Sequence, residues 1–334
     1  MDLIQTFPGD SSFQLFEEIP KYLYENGSDR ETESDKINCM FLQTCFVLIE
    51  KKIPLARVAL YHNPNLIYND NNSWCIGNYE CLKDNKVAEV ILSQVMEYAK
   101  KNGAQYLIGP MNGSTWDNYR FSMSNELPNF LLEPKHHVYY TDQFQHVGFN
   151  PIAHYISSID KDLLYDTPKI QSLEAKFKNQ GVRLREIDMN QYMEELKRLY
   201  PLISSSFKQN FLFTPINWES FLDKYLAAAA IINPEYCILA EDHAHNLIGF
   251  VFCYPDLNNP KENRLVLKTL ARDSSPRWAG VGLLLTNEIV KRAKKNHFKS
   301  VIHAFMMDDG ASVGVSNHFS GEIIKKYTLY GKAL

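Results

Sequence analysis

An arginine and two glycines carry the sharpest chemical signal in the chain. They stand in the run Leu270-Ala-Arg-Asp-Ser-Ser-Pro-Arg277-Trp-Ala-Gly280-Val-Gly282-Leu-Leu-Leu285. An alternating apolar stretch enters this run, a polar turn follows, and an amphipathic helix begins at the glycines. The first amides of a helix lack intrahelical partners and sit at its positive end. Two glycines let such a backbone come close to a phosphate group, and Arg277 adds a full positive charge, so the run is built to hold an anion. A dinucleotide fingerprint needs a third glycine three residues after the second, and Leu285 stands there. A P-loop needs Gly-Lys-Ser/Thr, which is absent. A plain glycine-containing helix start remains open beside a diphosphate site.

A second group of chemical residues lies in Gly109-Pro-Met-Asn-Gly-Ser-Thr-Trp-Asp-Asn-Tyr-Arg120-Phe. It follows a strand end, where open α/β sheets place their ligands. Asn112, Thr115, Trp116, Asn118 and Arg120 could form a substrate pocket. Arg120 could grip a carboxylate with two hydrogen bonds, and Trp116 could stack on a flat or cationic group. A well hydrogen-bonded structural loop is the other reading.

The composition bounds the rest. A length of 334 residues favours two domains, because one core seldom serves so long a chain. The net charge of −4 argues against nucleic acid as a partner. No apolar run approaches the length of a membrane span, and residues 1–10 lack the pattern of a signal peptide, so no membrane partner and a cytoplasmic location are expected. The six cysteines form no CxxC pair and no His/Cys group has ligand spacing, so reduced thiols and no metal are expected.

The elements that must position these residues can be read from periodicity. In the first half, residues 12–24 look helical and the charged residues 25–36 look like a loop. Strands are expected at 45–50, 55–61 and 74–81, a helix at 87–101 ending on Gly103, a strand at 104–108, a short helix at 139–147 and a strand at 151–159. In the second half the reading is a strand at 182–187, helices at 190–207 and 215–230, and a three-strand meander at 236–241, 247–254 and 264–271. A helix at 280–296, a strand at 300–306, a short helix or loop, and an alternating tail at 323–330 complete it. Both halves run strand, strand, strand, helix, strand. Hairpins make neighbours antiparallel and a helical crossover makes them parallel, so the fold class is α/β with mixed sheets. The expected domains are residues 1–160 and 182–334, joined by a linker at 161–181 that is partly helical over 170–178.

Arg277-x-x-Gly280-x-Gly282, set between that strand and that helix, resembles the coenzyme A motif of the GCN5-related N-acetyltransferase superfamily. The element order over residues 182–334 resembles it too. The first half is similar more weakly, through Tyr139-Tyr-x-x-x-Phe144-x-x-x-Gly148-Phe149, and residues 81–87 hold no glycine where the motif would be. The chain as a whole resembles tandem acetyltransferase-like proteins of bacteria. The resemblance implies two tandem acyl-coenzyme A N-acyltransferase-like domains, the first degenerate. It implies acetyl-coenzyme A, or another acyl-coenzyme A, as co-substrate, with the diphosphate on the backbone of Arg277, Trp278, Ala279, Gly280, Val281, Gly282 and Leu283. The acyl arm would pair with the strand end at Leu270, Ala271 and Arg272, and a small-molecule amine would be the acceptor. A tyrosine late in the fold would protonate the leaving thiolate, which points to Tyr327 or Tyr330. Glu219, Glu241 and His303 are candidate bases. The superfamily's late Asn and Gly-Phe are not in their usual places after Asp308, which leaves two other readings open. One is a non-catalytic acyl-coenzyme A-binding protein, and the other is a tandem acyl or aminoacyl transferase with a different donor.

Overall fold

In the computed structural model the described residues are 1–24 and 37–334, and the loop expected at residues 25–36 lies outside them. The chain forms two compact units. The first comprises Met1–His154, Phe211–Thr214 and Lys326–Leu334; the second comprises Tyr155–Asn210 and Pro215–Lys325.

The first unit is a mixed sheet built from β1 (Asp2–Thr6), β2 (Leu42–Glu50), β3 (Ile53–Tyr61), β4 (Ile67–Tyr68), β5 (Asn71–Cys81), β6 (Tyr106–Gly109) and β7 (Phe121–Ser122). Its helices are α1 (Phe13–Leu23), α2 (Asn85–Lys101) and α3 (Tyr140–His146). β1, β2, β3 and β5 form an antiparallel meander. α2 then crosses over, so β6 lies parallel to β5, as a helical connection requires. The start of α2 is set by Asp84, whose carboxylate accepts the Lys86 N–H at 2.8 Å. Its end is set by Gly103 at φ 93°, a backbone angle that glycine adopts freely. Between them Val87, Ile91, Val95 and Ala99 recur at helical spacing and are buried against Leu48, Val58, Ile76 and Phe144. Each such large apolar side chain removed from water stabilises the unit by roughly 1.5–3 kcal/mol.

The second unit repeats the plan. It holds α4 (Pro168–Asn179), β9 (Arg183–Glu186), α5 (Tyr192–Phe207), α6 (Trp218–Ala228), β10 (Cys237–Glu241), β11 (Leu247–Pro255), β12 (Arg264–Arg272), α7 (Val281–Lys295), β13 (Ser300–Met307) and α8 (Ala311–His318). β9 to β12 are antiparallel neighbours in order, and β13 lies parallel to β12 after the α7 crossover. The core packs Val281, Leu285, Ile289 and Val290 of α7 on Ile238, Val251 and Leu265.

The unit limits depart from the expected domains in three places. β8 (Asn150–Asp160) begins in the first unit, but its residues from Tyr155 on pair with β13 of the second. β14 (Glu322–Ala333) begins in the second unit, but Tyr327–Ala333 pair with β6 and β7 of the first. Residues 161–181, read as a linker helical over 170–178, do hold that helix as α4, but its Ile170 and Phe177 are in the second core. Strand pairing, which acts at long sequence distance, sets the two strand exchanges; packing sets the third. The strand β1 also escaped the periodicity reading, and α8 stands where a short helix or a loop was expected. β1 is only partly buried, so it shows little alternation. α8 has little apolar character on any one side.

Candidate functional site

In the second unit β12 and β13 run together for four residues and then part. Arg264 to Leu267 pair with Ser300 to His303. Beyond this, Lys268–Arg272 have no partner in β13, while β13 keeps its other neighbour, β8, from Val301–Asp160 to Met307–Tyr155. Two bulges cause the parting. On β12 the register against β11 shifts at Lys268, an extra residue between Leu267 and Thr269. On β13 the register shifts between His303 and Met306, with Phe305 at φ 58°. The Ser157 hydroxyl meets the Phe305 N–H at 3.1 Å, so this bulge is held by a side chain. The Lys268 ammonium lies 4.2 Å from the centre of the Phe305 ring, across the mouth of the split.

The parted end of β12 offers backbone groups to a ligand. Asp273 donates its N–H to Ile248, the strand neighbour on the β11 side. Alternation along an antiparallel pair then turns the N–H of Leu270 and Arg272 to the opposite, open side. That of Arg272 is taken by the Ser206 hydroxyl of α5 at 3.1 Å. Leu270 is therefore the residue whose amide faces the split, whereas that of Ala271 faces β11. Ser206 had no signal in the sequence, because it is a small polar residue at the end of an amphipathic helix.

The turn that follows is tightly organised. Asp273 accepts the Ser275 N–H at 2.8 Å, and Ser275 accepts the Arg277 N–H at 3.4 Å. Pro276–Trp278 form one turn of 3-10 helix. α7 then starts at Gly280 with no side-chain cap. Arg277 and Ala279 are exposed, Gly280 is half-buried, and Val281 and Gly282 are buried. A ligand would thus approach from the Arg277–Gly280 side.

The two glycines have different reasons. Gly280 sits at φ 104°, where a side chain is strained, and a Cβ there would lie 2.9 Å from Leu173 of α4. Gly282 is helical, and a Cβ there would only touch Leu270, at 3.5 Å. Gly280 is required by the fold, and Gly282 is the one that keeps open the space beside Leu270. Trp278, expected to contribute backbone contacts, is buried near Phe177 of α4, with the Arg277 guanidinium over its outer face at 4.5 Å.

The two tyrosines expected to act in catalysis can be described only within their own unit. Tyr327 and Tyr330 are in the part of β14 that belongs to the first unit. Both are buried. The Tyr327 hydroxyl donates to Glu133 at 2.9 Å, and Tyr330 packs in the first core. Burial pushes the Tyr330 phenol up from its usual range. The candidate bases differ among themselves. Glu241 is drawn into ion pairs with Arg185 at 2.8 Å and Arg198 at 2.7 Å. Burial alone would raise its carboxyl, but those two guanidiniums outweigh it and hold the carboxyl below the ordinary range. His303 is buried at the last paired position of β13, and burial lowers its imidazole to about 4. Glu219 is exposed in the first turn of α6.

The first unit parts its strands in the same place and then fills the gap. β5 and β6 pair from Ser73–Tyr106 to Cys75–Ile108 and separate after Gly109. The chain turns back there. The Met111 N–H reaches the Ile76 carbonyl at 2.7 Å, and the Asn112 side chain accepts the Asn78 N–H at 3.0 Å. A Cβ on Gly77 would come within 2.4 Å of Asn112 and 2.7 Å of the Met111 carbonyl, so the fit is close. The edge that is open in β12 is thus covered in β5 by the chain's own loop.

Of the residues grouped by sequence in this loop, Asn112, Asn118 and Arg120 line one cleft with Arg57, Glu80 and His136. Thr115 and Trp116 do not line it. The Trp116 indole donates to the Thr214 carbonyl at 2.9 Å and meets the Phe213 ring edge-on. Arg57 and Glu80 were missed because each is a single charge on an apolar strand, and His136 because, beside His137, it reads as a structural or surface residue.

Among the described residues no group of three or more His, Cys, Asp or Glu is placed to hold a metal, and no helix is long and apolar enough to cross a membrane. No family model matches the sequence, and a search of curated proteins found no match. Solved structures do match. A GCN5-related N-acetyltransferase from Sphaerobacter thermophilus aligns over 99% of this chain and 95% of its own, with TM-score 0.57 and 10% identity. A tandem protein of this superfamily from the clavulanic acid biosynthesis pathway aligns over 99% and 98%, with TM-score 0.57 and 11% identity. The glucosamine N-acetyltransferase region of a fungal multi-domain β-N-acetylglucosaminidase aligns over 99% of this chain at TM-score 0.59 and 11% identity, and this chain spans 38% of that protein. At such identities the likeness is one of fold, and it joins the parted strands and the α7 opening in one conclusion: this chain has the fold of the GCN5-related N-acetyltransferases, as two such units in tandem.

Proposed function

We propose that the second unit binds an acyl-coenzyme A, and that the protein transfers its acyl group to the amine of a small molecule. The observation that carries this reading is the parting of β12 from β13 beside an uncapped helix start. The first-turn amides of α7 and the Arg277 guanidinium would take the diphosphate. The free edge of β12 would pair with the pantetheine amides, and Gly282 leaves room for the chain to pass Leu270. The Leu270 N–H would hold the acyl carbonyl. A fixed donor at that oxygen stabilises the charge that develops there when an amine attacks, without reorganisation. The acceptor amine must arrive deprotonated, and the leaving thiolate needs a proton.

A second reading has its own support. Tyr327 and Tyr330 are buried, and the Tyr327 hydroxyl already donates to Glu133, so neither presents an exposed proton donor. That favours a coenzyme-binding protein without transfer. Two measurements separate the readings. Calorimetric titration of the whole chain with acetyl-coenzyme A tests binding, and absence of heat at saturating ligand defeats both. Release of free thiol from acetyl-coenzyme A with a panel of small amines tests transfer; binding with no amine-dependent release leaves only the second reading.

A further inference from the structure

One side chain stands at the root of each split, and the two differ in kind. In the first unit the last residue of β6 to pair with β5 is Ile108, which is buried and needs no polar partner. In the second the last residue of β13 to pair with β12 is His303. It is 3% exposed, and its Nε2 has no hydrogen-bond partner among the described residues. A buried polar atom left alone costs free energy. The isoleucine of the first unit avoids that cost at the same place, so folding alone does not account for the histidine.

The imidazole is on the face of the sheet along which the proposed donor would pass. Val301 lies in the core with α7, and His303, two residues on, shares its face. Leu267, the partner of His303 on β12, is in that core too, and Leu270 packs against it. Ser158 of β8 stands opposite His303, and the Phe319 ring lies 6.4 Å from the imidazole, centre to centre. His303 is thus the last residue of β13 on the α7 face before the strands part, and Leu270 is the first of β12 on that face beyond the bulge at Lys268. Burial alone keeps the imidazole uncharged near neutral pH, so one ring nitrogen carries a proton and can donate it to a hydrogen bond.

From this we infer that Nε2 of His303 donates a hydrogen bond to the sulfur of the bound acyl thioester and holds the negative charge that gathers there as the thiolate leaves. The inference rests on the coenzyme reading of the second unit and adds the group that meets the sulfur. With the diphosphate at the start of α7, beyond the end of β12, the arm runs back along β12 and brings its reacting end to the root of the split. The Leu270 N–H takes the acyl oxygen from one strand, and His303 takes the sulfur from the other. The amine nitrogen attacks the acyl carbon, the C–N bond forms, the C–S bond breaks and its electron pair goes to sulfur. The surplus proton on nitrogen passes to water, and the thiolate takes one from water. The imidazole stays neutral and serves as a fixed donor to developing charge, a role that needs no tyrosine.

The test needs binding and not turnover. Calorimetric titration of the whole chain with acetyl-coenzyme A and with coenzyme A comes first; no heat with either overturns the coenzyme reading and this inference with it. The thiol of bound coenzyme A is then titrated by the ultraviolet absorbance of its thiolate, against protein alone, in the parent, in His303→Ile and in His303→Gln. A donor to sulfur favours the charged form. The thiolate should therefore appear at a pH about one unit lower in the parent than in His303→Ile, a tenfold change in ionisation. His303→Gln keeps an N–H donor and should titrate close to the parent. Burial of the thiol acts on all three alike and does not give this order. A near-ultraviolet circular dichroism spectrum equal to that of the parent shows that each variant is folded. Should His303→Ile not fold, nitrogen NMR of the parent decides: the Nε2 resonance, assigned by its loss in His303→Gln, should move as the bound thiolate forms. Equal thiol titrations in the parent and the folded His303→Ile, or an unmoved Nε2 resonance, overturn the inference and leave the coenzyme reading in place.

Discussion

At the start of α2 the Asp84 carboxylate caps the helix and the Met111–Asn112 loop covers the edge of β5. At the start of α7 Gly280 leaves the first turn without a side-chain cap, and no loop pairs with Lys268–Arg272 on the β13 side. The two openings occupy the same place in the same fold, after the last strand of a meander and before its crossover helix. A capping carboxylate repels an anion where an uncapped turn next to Arg277 attracts one. What separates the two openings is who satisfies the backbone: the chain itself does so in the first unit, and on the proposed reading an incoming molecule does so in the second. The root of each split differs too. The last paired residue is the apolar Ile108 in β6 and the buried His303 in β13.

That last difference predicts the largest effect. The His303 imidazole is held neutral, at about 4 against an ordinary 6.5, by burial. Because the folded value lies below the unfolded one, its neutral form leaves stability intact above pH 6.5, and stability falls as pH drops from 6.5 towards 4. The full loss is about 3 kcal/mol. Chemical denaturation at pH 7, 5.5 and 4.5 should show this slope in the parent and lose most of it in His303→Leu. An unchanged slope in the variant would show that other groups govern acid stability.

Gly282→Leu sharpens the contrast between the helix openings. It fills the space beside Leu270 and should weaken acetyl-coenzyme A by at least about 100-fold, or about 2.7 kcal/mol. The helix itself should persist, because leucine is a better helix former than glycine. Calorimetry with a helical spectrum as control checks it. Normal affinity in the folded variant would place the coenzyme elsewhere.

Arg277→Ala should weaken the same ligand by roughly five- to tenfold, since the guanidinium is exposed and its charge is screened. The difference between parent and variant should shrink as salt rises, and a salt-independent difference would mean that Arg277 acts by packing on Trp278 instead. Asp84→Ala, in the filled opening, should cost about 1 kcal/mol of stability as a lost helix cap. It should leave acetyl-coenzyme A affinity where it was; a gain in stoichiometry to two would show that removing the carboxylate opens the first unit.

Much of this was legible in the residues. The strands at 45–50, 55–61 and 247–254 and the helices at 87–101 and 280–296 fall within or beside the observed elements, because side-chain alternation and helical spacing are local properties. The turn before α7 was legible for the same reason, from its glycines, proline and serines. The cleft was half legible. Asn112, Asn118 and Arg120 stood together in one loop, but Arg57 and Glu80 are single charges on apolar strands, and only the pairing of Arg57 with Glu80 across β3 and β5 brings them to one place.

The sequence by itself determined which segments are strand or helix, where α7 opens, and that the plan occurs twice. Tertiary structure decided which unit owns each strand end, and so placed Tyr327 and Tyr330 in the first unit. It also decided that Gly280 needs its left-handed backbone while Gly282 is helical and faces Leu270, and that the strands part at both crossovers but a loop covers only the first edge. Local patterning is written in neighbouring residues. Strand partners and contacts such as Leu173 with Gly280 or Ser206 with Arg272 join residues far apart in the chain, and spacing along a sequence has no record of them.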